Sequence, residues 1–167
     1  ALNYGFDRSA AVNAVNPGYK AYNRLVDSNF AGPDGGKFVD EYPVETVPLS
    51  GDVDKAKEYL AAAMEELGYS DVSQLPQLEL ITWDTSEQKL LLETIIDQWK
   101  QNLGLENIQL TQYVIGTAIG SFYDLSYDLF AITWETDVLP TDIMEAMVTG
   151  GEVNYGIWSD AQFDSLV

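Results

Sequence analysis

The sequence predicts an α/β fold, a mixed or largely parallel sheet with packed helices. Three observations carry this. Residues 78–134 run in the order strand, helix, strand, short helix, strand, the pattern of helices layered on a sheet. The run from Leu129 to Trp134 is almost continuously apolar, as for a strand covered on both faces. Hydrophobic residues make up 46% of the chain and aromatics 12%, enough for a core. A length of 167 residues fits one domain, 1–167.

Residues 1–15 read as a helix with Leu2, Phe6, Ala10 and Val15 on its inner face. Residues 16–51 hold four of the six prolines (Pro17, Pro33, Pro43 and Pro48) and are expected to be irregular. An irregular stretch of that length often runs along another domain or serves a site. Gly32-Pro33-Asp34-Gly35-Gly36 is turn chemistry and lacks the alternating oxygen ligands of a calcium loop. The clearest helix is 53–67, with Ala56, Leu60, Ala63 and Leu67 in one stripe widened by Tyr59 and Met64. Asp52 can cap its start and Gly68 can end it in a left-handed turn.

Residues 78–83 alternate as a strand. Thr85 and Gln88 fit a capping box for a helix that buries Leu92, Ile95, Ile96, Trp99 and Leu103 and stops at Gly104. Trp83 and Trp99 fall at core-facing positions. A second strand covers 107–113, and 114–123 has the pattern of a short helix or a loop. Gly116 and Gly120 suit a loop or close packing, because no apolar 20-residue segment surrounds them. Short helices are expected at 141–148 and 159–167, the latter with a Ser159–Gln162 capping box.

Composition removes much chemistry. Eight Lys and Arg against 27 Asp and Glu leave a formal charge of −19, which repels phosphate backbones and argues against nucleic acid. Without Cys there is no disulfide or thiolate; without His there is no Ser-His-Asp triad and no HExxH zinc site. No phosphate-binding glycine loop occurs. No cofactor and no metal is expected. No stretch approaches the roughly 18–20 apolar residues of a membrane span. The uncapped start at Ala1-Leu2 and the apolar finish at Leu166-Val167 suggest a piece of a longer chain.

In open α/β sheets, ligands bind outside the carboxyl ends of the strands. The third strand ends at Trp134, and Glu135, Asp137 and Pro140 follow. Asp137 can hold a cationic group while the Trp134 indole walls a pocket. The alternative is a core tryptophan followed by a turn aspartate. Glu135 and Asp137 are also the one carboxylate pair that merits nomination for a glycosidase, which needs two acids about 5–9.5 Å apart.

Five segments together resemble the family 5 extracellular solute-binding proteins, the oligopeptide- and dipeptide-binding components of ABC importers. Ala1-Leu2 through Asp7-Arg8 is similar to the family's AL-x-x-A-x-DR helix. Asp52-Val53-Asp54-Lys55-Ala56-Lys57 is similar to D-P-x-K-A-K, with Val53 in place of Pro. Trp99-Lys100-Gln101-Asn102-Leu103-Gly104-Leu105 resembles W-K-x-x-LG-I. Tyr127-Asp128 through Trp134 and Asp137 resembles the family's YD…W-x-x-D segment, and Phe163-Asp164-Ser165-Leu166 its FD-x-L.

The resemblance spans the chain but only part of a family member, most of one lobe of a two-lobed periplasmic-binding-protein-like (type II) fold. It implies a binding protein and not an enzyme, located outside the cytoplasm in the periplasm or on a lipid anchor. It implies as partners an oligopeptide or other small solute, a second lobe of the same polypeptide and an ABC permease. It assigns Asp137 to the ligand's α-amino group, Trp134 to the pocket wall and the Glu135 carbonyl to a further contact. After Asp137 the family's Tyr-x-Asp-Pro is replaced by the shorter Val138-Leu139-Pro140. Family members also bind oligosaccharides, haem and nickel chelates, so the ligand class stays open.

Overall fold

Alternating apolar residues of high β-propensity make Leu78–Trp83 the central strand, β1. In the computed structural model, which describes residues 1–24, 26, 28–133 and 142–166, the chain forms two compact units. The first comprises residues 1–23 and 47–132, and the second 24–46 and 133–167.

In the first unit β1 is flanked by β2 (Ile108–Tyr113) and β3 (Leu129–Phe130), in the order β2-β1-β3. Both pairings are parallel, with Leu78 opposite Ile108, Trp83 opposite Tyr113, and Ile81 opposite both Thr111 and Phe130. The expected sheet is present, and parallel throughout these strands. The third strand is shorter than 129–134. Regular pairing ends at Phe130, although Ala131 N still donates to Ile81 O at 3.0 Å. Trp134 lies outside the described residues.

Alternation sends Leu80 to one face and Ile81 to the other. α4 (Ser86–Leu103) covers the first face with Leu92, Ile95, Trp99 and Leu103, all buried against Leu80. α5 (Ile115–Tyr123) covers the second, where Phe122 is 1% exposed and its ring lies 5.1 Å from that of Phe130. A sheet buried on both faces explains the apolar reading of 129–131. Tyr127 joins this aromatic cluster, and burial raises its hydroxyl above the ordinary value.

The caps read from sequence for the two long helices hold. α3 (Val53–Leu67) begins with Lys55 N donating to the Asp52 carboxylate at 3.0 Å and ends at Gly68 with φ +72°. α4 begins with Gln88 N donating to Thr85 Oγ1 at 3.2 Å and ends at Gly104, φ +72°. Along α3, Ala56 and Met64 are buried, but Leu67 is 59% exposed and Tyr59, stacked on Tyr4, is 46% exposed. The inner stripe is therefore narrower than the periodicity predicts.

The first helix is broken. A 3-10 turn, Leu2–Tyr4, precedes α1 (Arg8–Val15). Asp7 caps α1 by accepting from Ala10 N at 2.8 Å, while its own N–H donates to Gln98 Oε1 at 2.7 Å. The break changes the helical phase, so Ala11 is buried and Ala10 exposed. Gly5 sits at the break because a Cβ there would lie 2.7 Å from Leu103 Cδ1. Gly51 has φ +73°, and a Cβ there would lie 2.5 Å from Phe6 O and 2.8 Å from Tyr4 O. Gly51→Ala is expected to lower stability by about 1–3 kcal/mol, measured as a lower denaturation midpoint with an unchanged m-value.

In the second unit, α2 (Phe38–Glu41) lies within the region expected to be irregular. The turn at 32–36 forms as expected, with Gly35 N donating to Gly32 O at 3.1 Å and Ala31 bridged to Lys37. Glu41 accepts from Asp34 N and Gly36 N, at 3.2 and 2.8 Å, and so locks the turn. Asp142–Met147 is a 3-10 helix and α6 is short, Ala161–Asp164. Its cap is Asp160, which accepts from Gln162 N and Phe163 N; Ser159 instead accepts from Thr149 Oγ1. The stronger carboxylate acceptor one residue later displaces the expected Ser159–Gln162 box. Hydrogen bonds from Thr149 to Asp164 hold that carboxyl below its usual range.

Candidate functional site

The chain leaves β1 towards α4 on one face of the sheet and leaves β2 towards α5 on the other. The carboxyl ends of β1 and β2 thus form a switch point, where α/β sheets open a ligand crevice. Asp84 N donates to Tyr113 O at 2.9 Å, and Gln112 Nε2 donates to Thr85 O at 3.2 Å and Trp83 O at 3.4 Å. These bonds fix the two strand ends in register. On the other side, Thr82 Oγ1 donates to Ala131 O at 2.8 Å. Thr82 is 0% exposed, so this buried hydroxyl fastens the end of β3 to β1.

The predicted residues Trp134, Glu135 and Asp137 lie outside the described residues. The last described residue before them, Thr133, is two beyond Ala131, which still pairs with β1 at its carboxyl end.

Two further residues stand out at this edge. Val114 and Ile115, 66% and 56% exposed, begin α5 directly after β2. Val114 is the helix cap and makes no side-chain capping bond. Sequence reasoning passed over both, because an apolar pair at a strand–helix junction reads as core until the topology puts the junction at the open edge. Gly116 and Gly120 follow inside α5, and a Cβ on either would meet nothing within 4 Å among the described residues. They are therefore helical and unpacked, which corrects their reading as loop or close-packing positions.

Trp99 is core, 7% exposed, and its Nε1 donates to Leu2 O at 2.9 Å. Trp83 is half-buried at the strand end. At the opposite, amino end of the sheet, a groove of about 550 Å³ is floored by Leu60, Ala61, Met64, Val72 and Leu103. Among the described residues no group of three or more Asp and Glu is placed to hold a metal ion, and no helix is long and apolar enough to cross a membrane.

A parallel sheet covered on both faces, with a switch point at its carboxyl edge, defines an α/β fold of the doubly wound kind. Residues 1–155 match the model of the bacterial extracellular solute-binding proteins, family 5 (Middle), and the chain belongs to that family. It is 26% identical over 171 residues to the oligopeptide-binding protein OppA of Bacillus subtilis (strain 168), covering all of this chain and 30% of that protein. Its fold is that of the peptide-bound OppA of Listeria monocytogenes, with a TM-score of 0.85 at 22% identity over 99% of this chain and 32% of the other. Haemophilus influenzae OppA in complex with RPPGFSPFR gives a TM-score of 0.77 at 17% identity, over 98% of this chain and 31% of the other. The chain thus spans about a third of the length of these relatives.

Proposed function

We propose that this chain is a ligand-holding part of an extracytoplasmic solute-binding protein that captures short peptides and delivers them to an ABC permease. Binding is by closure of two lobes around the ligand, without bond-making chemistry. Asp137 pairs with the peptide's α-ammonium, Trp134 forms a pocket wall and Glu135 offers its backbone carbonyl.

The observation that carries this reading is the parallel pairing of β3 with β1. It brings Ala131 to the carboxyl edge of the sheet, where α/β folds bind ligands, three positions before Trp134 in the sequence. Family membership and the peptide-bound relatives support the ligand class. The exposed Val114 and Ile115 supply apolar surface at the same edge. The shortened loop after Asp137 keeps an oligosaccharide or metal chelate as the second reading. Mass spectrometry of ligand retained by the gently purified full-length protein separates the two.

Charge distribution adds a kinetic expectation. Residues 101–167 contain ten Asp and Glu and no Lys or Arg. Such a field draws cationic ligands in and is screened by salt. In stopped-flow experiments on the full-length protein, association with a short Lys-containing peptide is expected to slow about tenfold or more between about 0.01 and 0.15 M salt. An N-acetylated peptide of neutral side chains should show no such slope, and should bind much more weakly than its free-amine form in calorimetry. Equal affinity for the acetylated and free-amine peptides would remove the ammonium from the recognition scheme.

A further inference from the structure

Two buried polar atoms lie on the face of the sheet covered by α5 and are not among the residues proposed to hold the ligand. Thr111 is in register with Ile81, and Trp83 with Tyr113. Side chains alternate along a strand, so Trp83 and Thr111 share one face of the sheet, on neighbouring strands and two positions apart. That is the face roofed by α5, where Ala118 and Phe122 are 0% and 1% exposed. Trp83 Nε1 and Thr111 Oγ1 are both shut off from solvent, and neither has a hydrogen-bond partner among the described residues.

Buried donors and acceptors are rarely left unpaired, and an orphan is costly. An indole N–H only donates, whereas a hydroxyl both donates and accepts. Positions diagonal to each other on neighbouring strands sit about 7–8 Å apart, beyond direct contact for short side chains but within reach of an indole and one intervening molecule. A water needs two to four polar partners and little space.

We propose that a single buried water bridges Trp83 Nε1 and Thr111 Oγ1 beneath α5. The bridge clamps the carboxyl ends of β1 and β2 together at the switch point. It complements the Asp84 and Gln112 bonds, which join the same strand ends through the backbone.

A crystal structure of the intact protein is the first test. A water peak within about 2.7–3.2 Å of both atoms is expected. Direct contact between the two side chains, or an apolar gap, overturns the proposal. The second test is a cycle of thermal unfolding on the same intact protein. Thr111→Val should lower the midpoint by about 2–4 °C in the native background. In a Trp83→Phe background, where the bridge has already lost one end, the same substitution should change little. An equal drop in both backgrounds, or a rise on Thr111→Val alone, means that no bridge exists.

Discussion

Asp137→Ala in the full-length protein is expected to weaken binding of a short free-amine peptide by about 2–5 kcal/mol, roughly 30- to 5,000-fold. An ammonium taken out of water needs a carboxylate and hydrogen-bond acceptors in return. Removing the carboxylate leaves that charge buried and unpaired, so the loss appears chiefly in the dissociation rate. Asp137→Asn keeps the shape and an acceptor oxygen, and should recover only part of the loss. Affinity for an N-acetylated peptide, already weak, should hardly change on either substitution. That difference isolates the ammonium contact from general damage to the loop. Calorimetry showing equal affinity of native and Asp137→Ala protein for the free-amine peptide would strike Asp137 from the site.

The parts of the fold that local chemistry dictates were legible in the sequence. α3 and α4 carry a side-chain cap at one end and a glycine in the left-handed region at the other, and their bounds follow from those residues. β1 was legible from its run of β-favouring residues, of which Leu80, Ile81 and Thr82 are all buried because it is the central strand between two covered faces. The misread elements depend on contacts distant in sequence. The first helix breaks at Gly5–Asp7 because Leu103, Gln98 and Asn102 of α4 take up that stretch of backbone. α6 starts at Asp160 because a carboxylate outcompetes the neighbouring hydroxyl as a cap. Trp134, Glu135 and Asp137 could be nominated from their place after an apolar run. The exposure of Val114 and Ile115 and the unpaired Trp83 and Thr111 could not, since they follow from strand order and register alone.

Trp99 gives the largest expected loss of stability. It lies in the inner row of α4, 7% exposed, and its ring meets Phe6 edge-on with centroids 5.9 Å apart. Its Nε1–H also satisfies the carbonyl of Leu2. It therefore anchors the N-terminal 3-10 turn as well as filling the layer above the sheet. Asn102 Nδ2 makes a parallel bond to Gly5 O at 2.9 Å. Trp99→Ala removes the packing, the ring contact and the bond together, and should cost about 3–5 kcal/mol. Trp99→Phe keeps most of the packing but removes the indole donor and leaves the Leu2 carbonyl with the Gly5 N–H alone, at about 0.5–1.5 kcal/mol. Denaturant unfolding of the intact protein measures both. Hydrogen exchange distinguishes the two contributions: the amides of Tyr4 and Gly5, which close the turn onto Ala1 O and Leu2 O, should lose protection in both variants. Those of β1 should lose it in Trp99→Ala alone, because only that change opens a cavity beside Leu80. Unchanged protection at Tyr4 and Gly5 in Trp99→Phe would show that the indole bond does not hold the turn, and that Asn102 holds it instead.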